Sequence, residues 1–144
     1  MGKAREITAA SVAAFNDHDL EWLRSLYAAD MVLEAPGGVR LEGADAAVDY
    51  TRRWQQAFRD SYMRLMTEIV DGDRAAVRFV IEGIHEDTLI GSLGDVPATH
   101  RRIAVDGAML VRVADRTIVE LSLWFDRTQV ANQLGVAPEL VVSA

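Results

Sequence analysis

Hydrophobic residues in the first part of the chain recur every three or four positions, which is the period of amphipathic helices. Three helices are predicted: one that ends near Asn16, a short one over residues 19–28, and one that opens after Gly43. Between the last two, Met31 to Ala35 is predicted to form a brief strand that ends at the turn residues 36–38. The third helix carries an apolar stripe that suits packing across a sheet, made of Ala47, Tyr50, Thr51, Trp54, Ala57 and Phe58.

Apolar and polar residues alternate through much of the second half of the chain, as they do in strands. Long strands are predicted over residues 62–70, 74–85, 101–113 and 117–125. The composition of Asp71-Gly72-Asp73 suits the tight turn of the first hairpin. In the second strand one face is apolar until it reaches a histidine, and its residues are Val77, Phe79, Ile81, Gly83 and His85.

These two patterns predict an α+β fold. A curved, mostly antiparallel sheet and three N-terminal helices would form a cone-shaped α+β barrel that encloses a hydrophobic pocket. With 144 residues, the chain suits a single domain, residues 1–144, that buries roughly two thirds of its unfolded surface. On the outer face of the sheet, cross-strand ion pairs are expected among Arg78, Glu82, Arg112 and Glu120.

The composition argues against several classes of function. A formal charge of -7 and the isolation of the pairs Arg52-Arg53 and Arg101-Arg102 argue against a nucleic-acid surface. No apolar run approaches the ~20 residues that span a bilayer, and the N-terminal residues do not resemble a secretory signal. No membrane association and a cytoplasmic location are therefore expected. The absence of cysteine excludes disulfides, thiolate metal sites and cysteine nucleophiles.

Motifs for other chemistries are missing from the sequence, including a glycine-rich phosphate loop, a Gly-x-Ser-x-Gly elbow and a His-Glu-x-x-His helix. His85, Glu86 and Asp87 are consecutive, and neighbouring strand residues point to opposite faces, so they do not easily converge on one ion. No metal site and no bound cofactor are expected. Asp126 is interpreted as a helix N-cap, with Gln129 as its reciprocal partner, in preference to a catalytic residue.

Several short segments occur in an order and spacing that are typical of one family. They are Ala14–Asn16, Asp30–Pro36, Gly83–Glu86, Pro97–Arg102, Glu120, Trp124–Asp126 and Gln133–Gly135. Together they resemble the SnoaL-like polyketide cyclases, in the group shaped like ketosteroid isomerase and scytalone dehydratase. The resemblance covers nearly the whole chain. It implies a cone-shaped fold, a cofactor-independent enzyme of secondary metabolism with an apolar or aromatic small-molecule ligand, and a homodimer formed through the outer face of the sheet.

The resemblance also directs attention to two ionisable residues. His85 matches the glycine-x-histidine position of the family at the pocket end of an apolar face, and imidazole titrates near neutral pH. Glu34 lies on a strand from which related proteins often direct a polar residue into the cavity, where burial would raise its pKa. The alternative interpretations are a structural histidine and an exposed strand-edge glutamate.

The catalytic pair of the family's cyclases, a histidine and an aspartate on the last two strands, is replaced here by Met109 and Leu123. One hypothesis is a cyclase, isomerase or hydroxylase-type enzyme that uses His85 and Glu34 as its acid and base. The alternative is a non-catalytic protein that binds a hydrophobic ligand. In either case the expected ligand contacts are Phe15, Tyr27, Tyr50, Trp54, Phe58, Phe79, Met109, Leu121 and Leu123.

Overall fold

The computed structural model describes residues 3–90 and 94–136. The helices are α1 (Lys3–Asn16), α2 (Leu20–Ser25), α3 (Ala44–Ala57) and α4 (Arg127–Leu134). The strands are β1 (Tyr27–Ala35), β2 (Val39–Glu42), β3 (Tyr62–Asp71), β4 (Arg74–Ile84), β5 (Arg102–Ala114) and β6 (Thr117–Phe125). They form one curved, unclosed six-stranded sheet in the order β2-β1-β6-β5-β4-β3. Only the β1–β6 pair is parallel within the described sheet, which confirms the predicted α+β class.

The first and third helices and the four long strands are confirmed, with bounds within three residues of the predicted ones. The second helix was predicted too long, because it ends at Ser25 and Tyr27 already belongs to β1. Tyr27 pairs with Ile118 of β6, and the Ile118 N–H donates to the Leu26 carbonyl at 2.8 Å. From Tyr27 onward the chain therefore pairs with the sheet and does not continue the helix, in keeping with the strand preference of tyrosine.

Strand β2 is absent from the sequence prediction, which ended the local structure at the turn after Ala35. Gly37 and Gly38 adopt left-handed φ angles of 88° and 74°, so the chain reverses within a few residues and returns as a partner of β1. Leu33 is then paired with Leu41 and Glu34 with Arg40. The four-residue strand is too short to give a clear alternation in the sequence.

The alternation predicted for β4 and β5 is confirmed, and it provides one wall of the interior. Phe79 of β4 lies opposite Gly107 of β5. A methyl group at Gly107 would be 2.5 Å from the Phe79 ring, so glycine leaves the room that this ring needs beside the neighbouring strand. Phe79 is 1% exposed and forms part of the hydrophobic core.

The turn between β5 and β6 is made without glycine. Asp115 and Arg116 occupy the left-handed region at φ 50° and 63°, as both central residues of a tight hairpin turn of this kind must. Each non-glycine residue in this region costs roughly 1–2 kcal/mol. The hairpin nevertheless forms as predicted, with Ala114 paired to Thr117.

Helix α4 covers an edge of the sheet that β6 leaves open. The paired residues of β6 end opposite Gly107, so the backbone of β5 before that point has no neighbour on this side. Gln133 replaces the missing strand, because its side chain accepts from the Ala104 N–H at 2.7 Å and donates to the Ala104 carbonyl at 2.9 Å. Asp126 caps α4 by accepting from the N–H groups of residues 128 and 129, as predicted. The Gln129 side chain, however, accepts from the Asp106 N–H. The prediction that it bonds back to the cap residue Asp126 is therefore wrong.

On the outer face of the sheet, the predicted ion pair of Arg112 with Glu120 is confirmed at 2.6 Å. The other two residues of that set take partners that were not predicted. Arg78 pairs with Asp106 and Glu82 pairs with Arg64, each at 3.3 Å. Within residues 3–90 and 94–136, no helix is both long and apolar enough to cross a membrane.

Candidate small-molecule pocket

A cavity lies between the N-terminal helices and the concave face of the sheet, with a volume of about 90 Å³. Its walls are almost entirely apolar, as expected for a small-molecule site. The lining residues are Ser11, Val12, Phe15, Leu23, Tyr27, Leu33, Tyr50, Thr51, Trp54, Met63, Phe79, Ile81, Met109, Ile118, Leu121, Leu123 and Phe125. None of them carries a carboxylate, an imidazole, an amine or a guanidinium group.

Burial of the lining residues distinguishes a floor from a mouth. Most of them are buried, whereas those of α3 and the end of β6 are half-buried. The half-buried ones are Tyr50, Thr51, Trp54, Leu123 and Phe125. The pocket therefore opens between α3 and the C-terminal end of β6, and its floor is formed by α1, β1, β4 and β5.

Two hydroxyl groups of the lining are already bonded to backbone. Ser11 donates to the Thr8 carbonyl at 2.7 Å, and Thr51 donates to the Ala47 carbonyl at 3.4 Å. The hydroxyls of Tyr27 and Tyr50 form no hydrogen bond with any residue that the structure describes. Tyr27 is 8% exposed, and burial raises the pKa of its phenol. It therefore stays protonated at neutral pH and can donate a hydrogen bond inside an apolar space.

Eight of the nine predicted ligand contacts line the cavity, namely Phe15, Tyr27, Tyr50, Trp54, Phe79, Met109, Leu121 and Leu123. The ninth, Phe58, does not. It is fully buried behind Trp54, on which it stacks with ring centroids 4.4 Å apart. Phe58 is the C-cap of α3 and no longer has helical backbone angles, so it does not continue the apolar stripe on which the prediction was based. It supports the pocket wall and does not contact the cavity.

His85 lies beyond the cavity, directly after β4, and its exposed fraction is 0%. The Thr99 N–H donates to His85 Nδ1 at 3.1 Å, and the Thr99 hydroxyl lies 2.9 Å from the same atom. Its backbone accepts from the His100 N–H at 2.8 Å and donates to the Arg101 carbonyl at 2.9 Å. The ring faces Phe58 at 5.2 Å. His85 thus holds residues 99–101 against the end of β4.

The protonation of His85 follows from these contacts. Because Nδ1 accepts the Thr99 N–H, the neutral ring carries its proton on Nε2, which is buried and has no hydrogen-bond partner among the described residues. Burial lowers the pKa of His85 below its usual 6.5. The backbone at Asp87 and Val96 opposes this shift, but neither residue comes into hydrogen-bond geometry with Nε2. The imidazole is therefore neutral at physiological pH.

Glu34 does not point into the cavity, and the prediction that it does is wrong. Its side chain is 58% exposed, and its nearest charged partner is Arg40 at 3.8 Å. Leu33 lines the pocket, and strand neighbours face opposite sides, so Glu34 must face outward. The structure therefore does not bring Glu34 and His85 together in the pocket. Among the residues described, no group of three or more metal-ligating side chains is found.

Comparison with known proteins agrees with this geometry. A family model described as the SnoaL-like domain matches residues 8–121. The chain belongs to the SnoaL-like family. No curated protein matches the sequence. Among solved structures, IdmH from Streptomyces antibioticus, a candidate polyketide cyclase, is 30% identical, with a TM-score of 0.78 over 92% of this chain and 99% of that one.

Two more distant structures share the SnoaL-like fold. AclR from Streptomyces galilaeus, a candidate hydroxylase, has a TM-score of 0.82 and 21% identity, covering 96% of this chain and 99% of that one. A SnoaL-like candidate polyketide cyclase from Jannaschia has a TM-score of 0.83 and 16% identity, with 94% of each chain covered. Proteins of low sequence identity therefore share this fold, and they include a candidate hydroxylase and a candidate cyclase.

Sequence reasoning missed several lining residues, and some of them had a signal. Ile81 lies two residues after Phe79 on the apolar face of β4, so the strand period alone could have included it. Met63 and Ile118 are also inward-facing strand residues. Thr51 lies on the predicted apolar stripe of α3 and so had a positional signal, but its hydroxyl, like that of Ser11, looks like a solvent-facing group in the sequence.

Proposed function

We propose that this SnoaL-like chain is a cofactor-independent enzyme of polyketide or related secondary metabolism. Its substrate is an apolar, carbonyl-bearing small molecule bound in the pocket, and the reaction is of the cyclase, isomerase or hydroxylase type. The family and the pocket support an enzyme of this kind. One observation carries the proposal further: Tyr27 lines the apolar cavity, and its hydroxyl forms no hydrogen bond with a described residue.

The proposed role of Tyr27 is to hold the carbonyl oxygen of the substrate. A carbon beside a carbonyl loses a proton more readily when the oxygen that becomes negative is held by a hydrogen-bond donor in a low-dielectric site. A phenol is protonated at neutral pH, and burial raises the pKa of Tyr27 further, so its hydroxyl can donate. No lining side chain is a base, so the released proton passes to water at the mouth. Tyr50, whose hydroxyl is also free, is placed to assist there.

Exchange of the methyl protons of acetophenone in D₂O tests this role, because it requires only loss and return of a proton beside a carbonyl. We expect the wild-type protein to accelerate the exchange, and Tyr27→Phe to lose roughly a hundredfold of that rate, the effect of removing one such donor. The matched control is Tyr62→Phe on β3, whose side chain is 51% exposed. Equal rates for Tyr27→Phe and Tyr62→Phe would overturn the role of Tyr27.

The second candidate function is non-catalytic binding of a hydrophobic ligand. The observation that favours it is the absence of any carboxylate, imidazole or amine among the lining residues. The family resemblance agrees, since it implies that Met109 and Leu123 replace the catalytic pair of the family's cyclases. In that case acetophenone binds with no acceleration of proton exchange. Binding without exchange in the wild-type protein would therefore decide for this alternative.

We also propose that the protein is a homodimer formed through the outer face of the sheet. Support comes from apolar side chains that are exposed on that side, including Leu110 at 38% and Trp124 at 53%. Large exposed apolar residues that lie together favour association. Sedimentation velocity at micromolar concentration tests this, since a monomer mass across the range would contradict it. The cytoplasmic location expected from the sequence stays a prediction.

A further inference from the structure

The mouth of the pocket has a positive charge beside it. Arg127 follows the lining residue Phe125 by two positions and is exposed at the start of α4. Its guanidinium lies against the turn after β1, because a methyl group at Gly37 would be 2.7 Å from Nη1 and 3.1 Å from Cζ. Arg127 therefore lies between the β1–β2 turn and the end of β6, where Phe125 lines the open end of the cavity.

Arg127 also acts on a residue of the mouth. Burial raises the pKa of the Tyr50 phenol, and the positive charge of Arg127 works in the opposite direction. The positive charge of Arg127 therefore acts on the side of the mouth that Tyr50 lines. Tyr50 itself has a free hydroxyl among the described residues and lines the cavity.

The positive charge of Arg127 is not neutralised by an ion pair within the described part of the chain. Ten other arginines do have a carboxylate within 4.0 Å, on a protein whose formal charge is -7. The adjacent carboxylate, Asp126, accepts from two N–H groups of α4. A guanidinium and a phenol, both donors, thus remain available at the mouth of an apolar cavity.

We propose that the mouth recognises a carboxylate at one end of an otherwise apolar ligand, with Arg127 and the Tyr50 hydroxyl as its hydrogen-bond donors. The inference rests on the proposed function, since it names the substrate class of the same pocket. The apolar body of the ligand lies against the floor, and its carboxylate stays at the half-exposed rim, where it keeps part of its hydration. A guanidinium is well suited to this group because its N–H donors match both carboxylate oxygens.

The test compares benzoate with benzamide, which have nearly the same shape but differ in charge. Dissociation constants are measured by NMR titration for the wild type, Arg127→Gln, Arg127→Lys and Tyr50→Phe. We expect the wild type to prefer benzoate by at least about fivefold, as a charge-assisted bond at a partly hydrated site allows. Arg127→Gln should remove the preference by weakening benzoate binding alone. Arg127→Lys should keep part of it, and Tyr50→Phe should reduce it.

The matched control is Arg74→Gln, which makes the same change of net charge at an exposed arginine that does not line the pocket and has no ion pair among the described residues. It should leave the preference unchanged. Equal affinity of the wild type for both probes, or a preference that survives Arg127→Gln, overturns the inference and leaves the proposed function intact. If neither probe binds the folded wild-type protein, the pocket itself is not the site and both proposals fail.

Discussion

Replacing Met109 with tryptophan is expected to abolish ligand binding in the pocket. Met109 is 6% exposed, lies opposite Leu123 across β5 and β6, and faces the cavity. An indole in its place would occupy much of a space of about 90 Å³. We expect the affinity for benzamide to fall by at least roughly a hundredfold, which corresponds to about 2.8 kcal/mol. An NMR titration of the folded variant measures this loss.

The control for this substitution is its neighbour on the same strand. Leu110 faces the outer side of the sheet and is 38% exposed, so Leu110→Trp adds the same ring without entering the cavity. It should bind benzamide as the wild type does. Insertion of a large side chain into a filled core costs about 1–3 kcal/mol, whereas a ring that enters empty space costs less. A Met109→Trp protein that binds benzamide normally would mean that the ligand lies elsewhere.

Replacing His85 with alanine is expected to lower the free energy of unfolding by roughly 3 kcal/mol or more while leaving the pocket functional in the molecules that remain folded. The substitution removes a fully buried ring that packs on Phe58, and it leaves the Thr99 N–H without its acceptor. Both effects loosen the attachment of residues 99–101 to the end of β4. Urea unfolding measures the loss, and acetophenone exchange below the transition measures function.

The conservative variant His85→Asn separates packing from hydrogen bonding, because its amide oxygen can accept from Thr99 where Nδ1 does. It should recover part of the lost stability. The pH dependence has a definite sign. With a pKa lowered in the folded state, His85 contributes its full stability above about pH 6.5 and loses it as the pH falls. His100 adds to the lowering and Asp87 opposes it. His85→Asn should therefore flatten the loss of stability between neutral pH and the acid side.

A catalytic histidine would behave differently. If His85 were the acid or base of the reaction, His85→Asn would abolish exchange in protein that is fully folded. The structure predicts that exchange persists, since the ring does not line the cavity. Loss of exchange with retained stability would contradict the structural role described for His85.

Much of the fold could be predicted from the sequence because long periodic segments carry their own signal. The alternation from Val77 to His85 gives the inward face of β4, and the buried positions follow it without exception. The helical stripe of α3 likewise gives Tyr50 and Trp54 at the mouth. Short segments were predicted less well. Strand β2, with four residues, was missed. Tyr27 was assigned to the second helix, although it pairs with β6. Tertiary pairing of that kind is not encoded in local spacing.

The candidate site was harder to predict than the fold. The side to which Glu34 points depends on the register of β1, and its apolar neighbours Leu33 and Ala35 were the better guide than its position before Pro36. His85 points inward as predicted, but its side chain does not line the pocket. The ring is held instead by Thr99, and a contact between residues fourteen positions apart is not encoded in local spacing.

The most direct test of the central claim, that the ligand lies between the helices and the sheet, is methyl NMR of protein labelled at its five methionines. Met63 and Met109 line the cavity, whereas Met31 is buried without lining it and Met66 is 47% exposed. Titration with benzamide is predicted to move the methyl signals of Met63 and Met109 and to leave those of Met31 and Met66 in place. Saturable binding that moves Met66 or Met31 and leaves Met63 and Met109 unchanged would contradict the account.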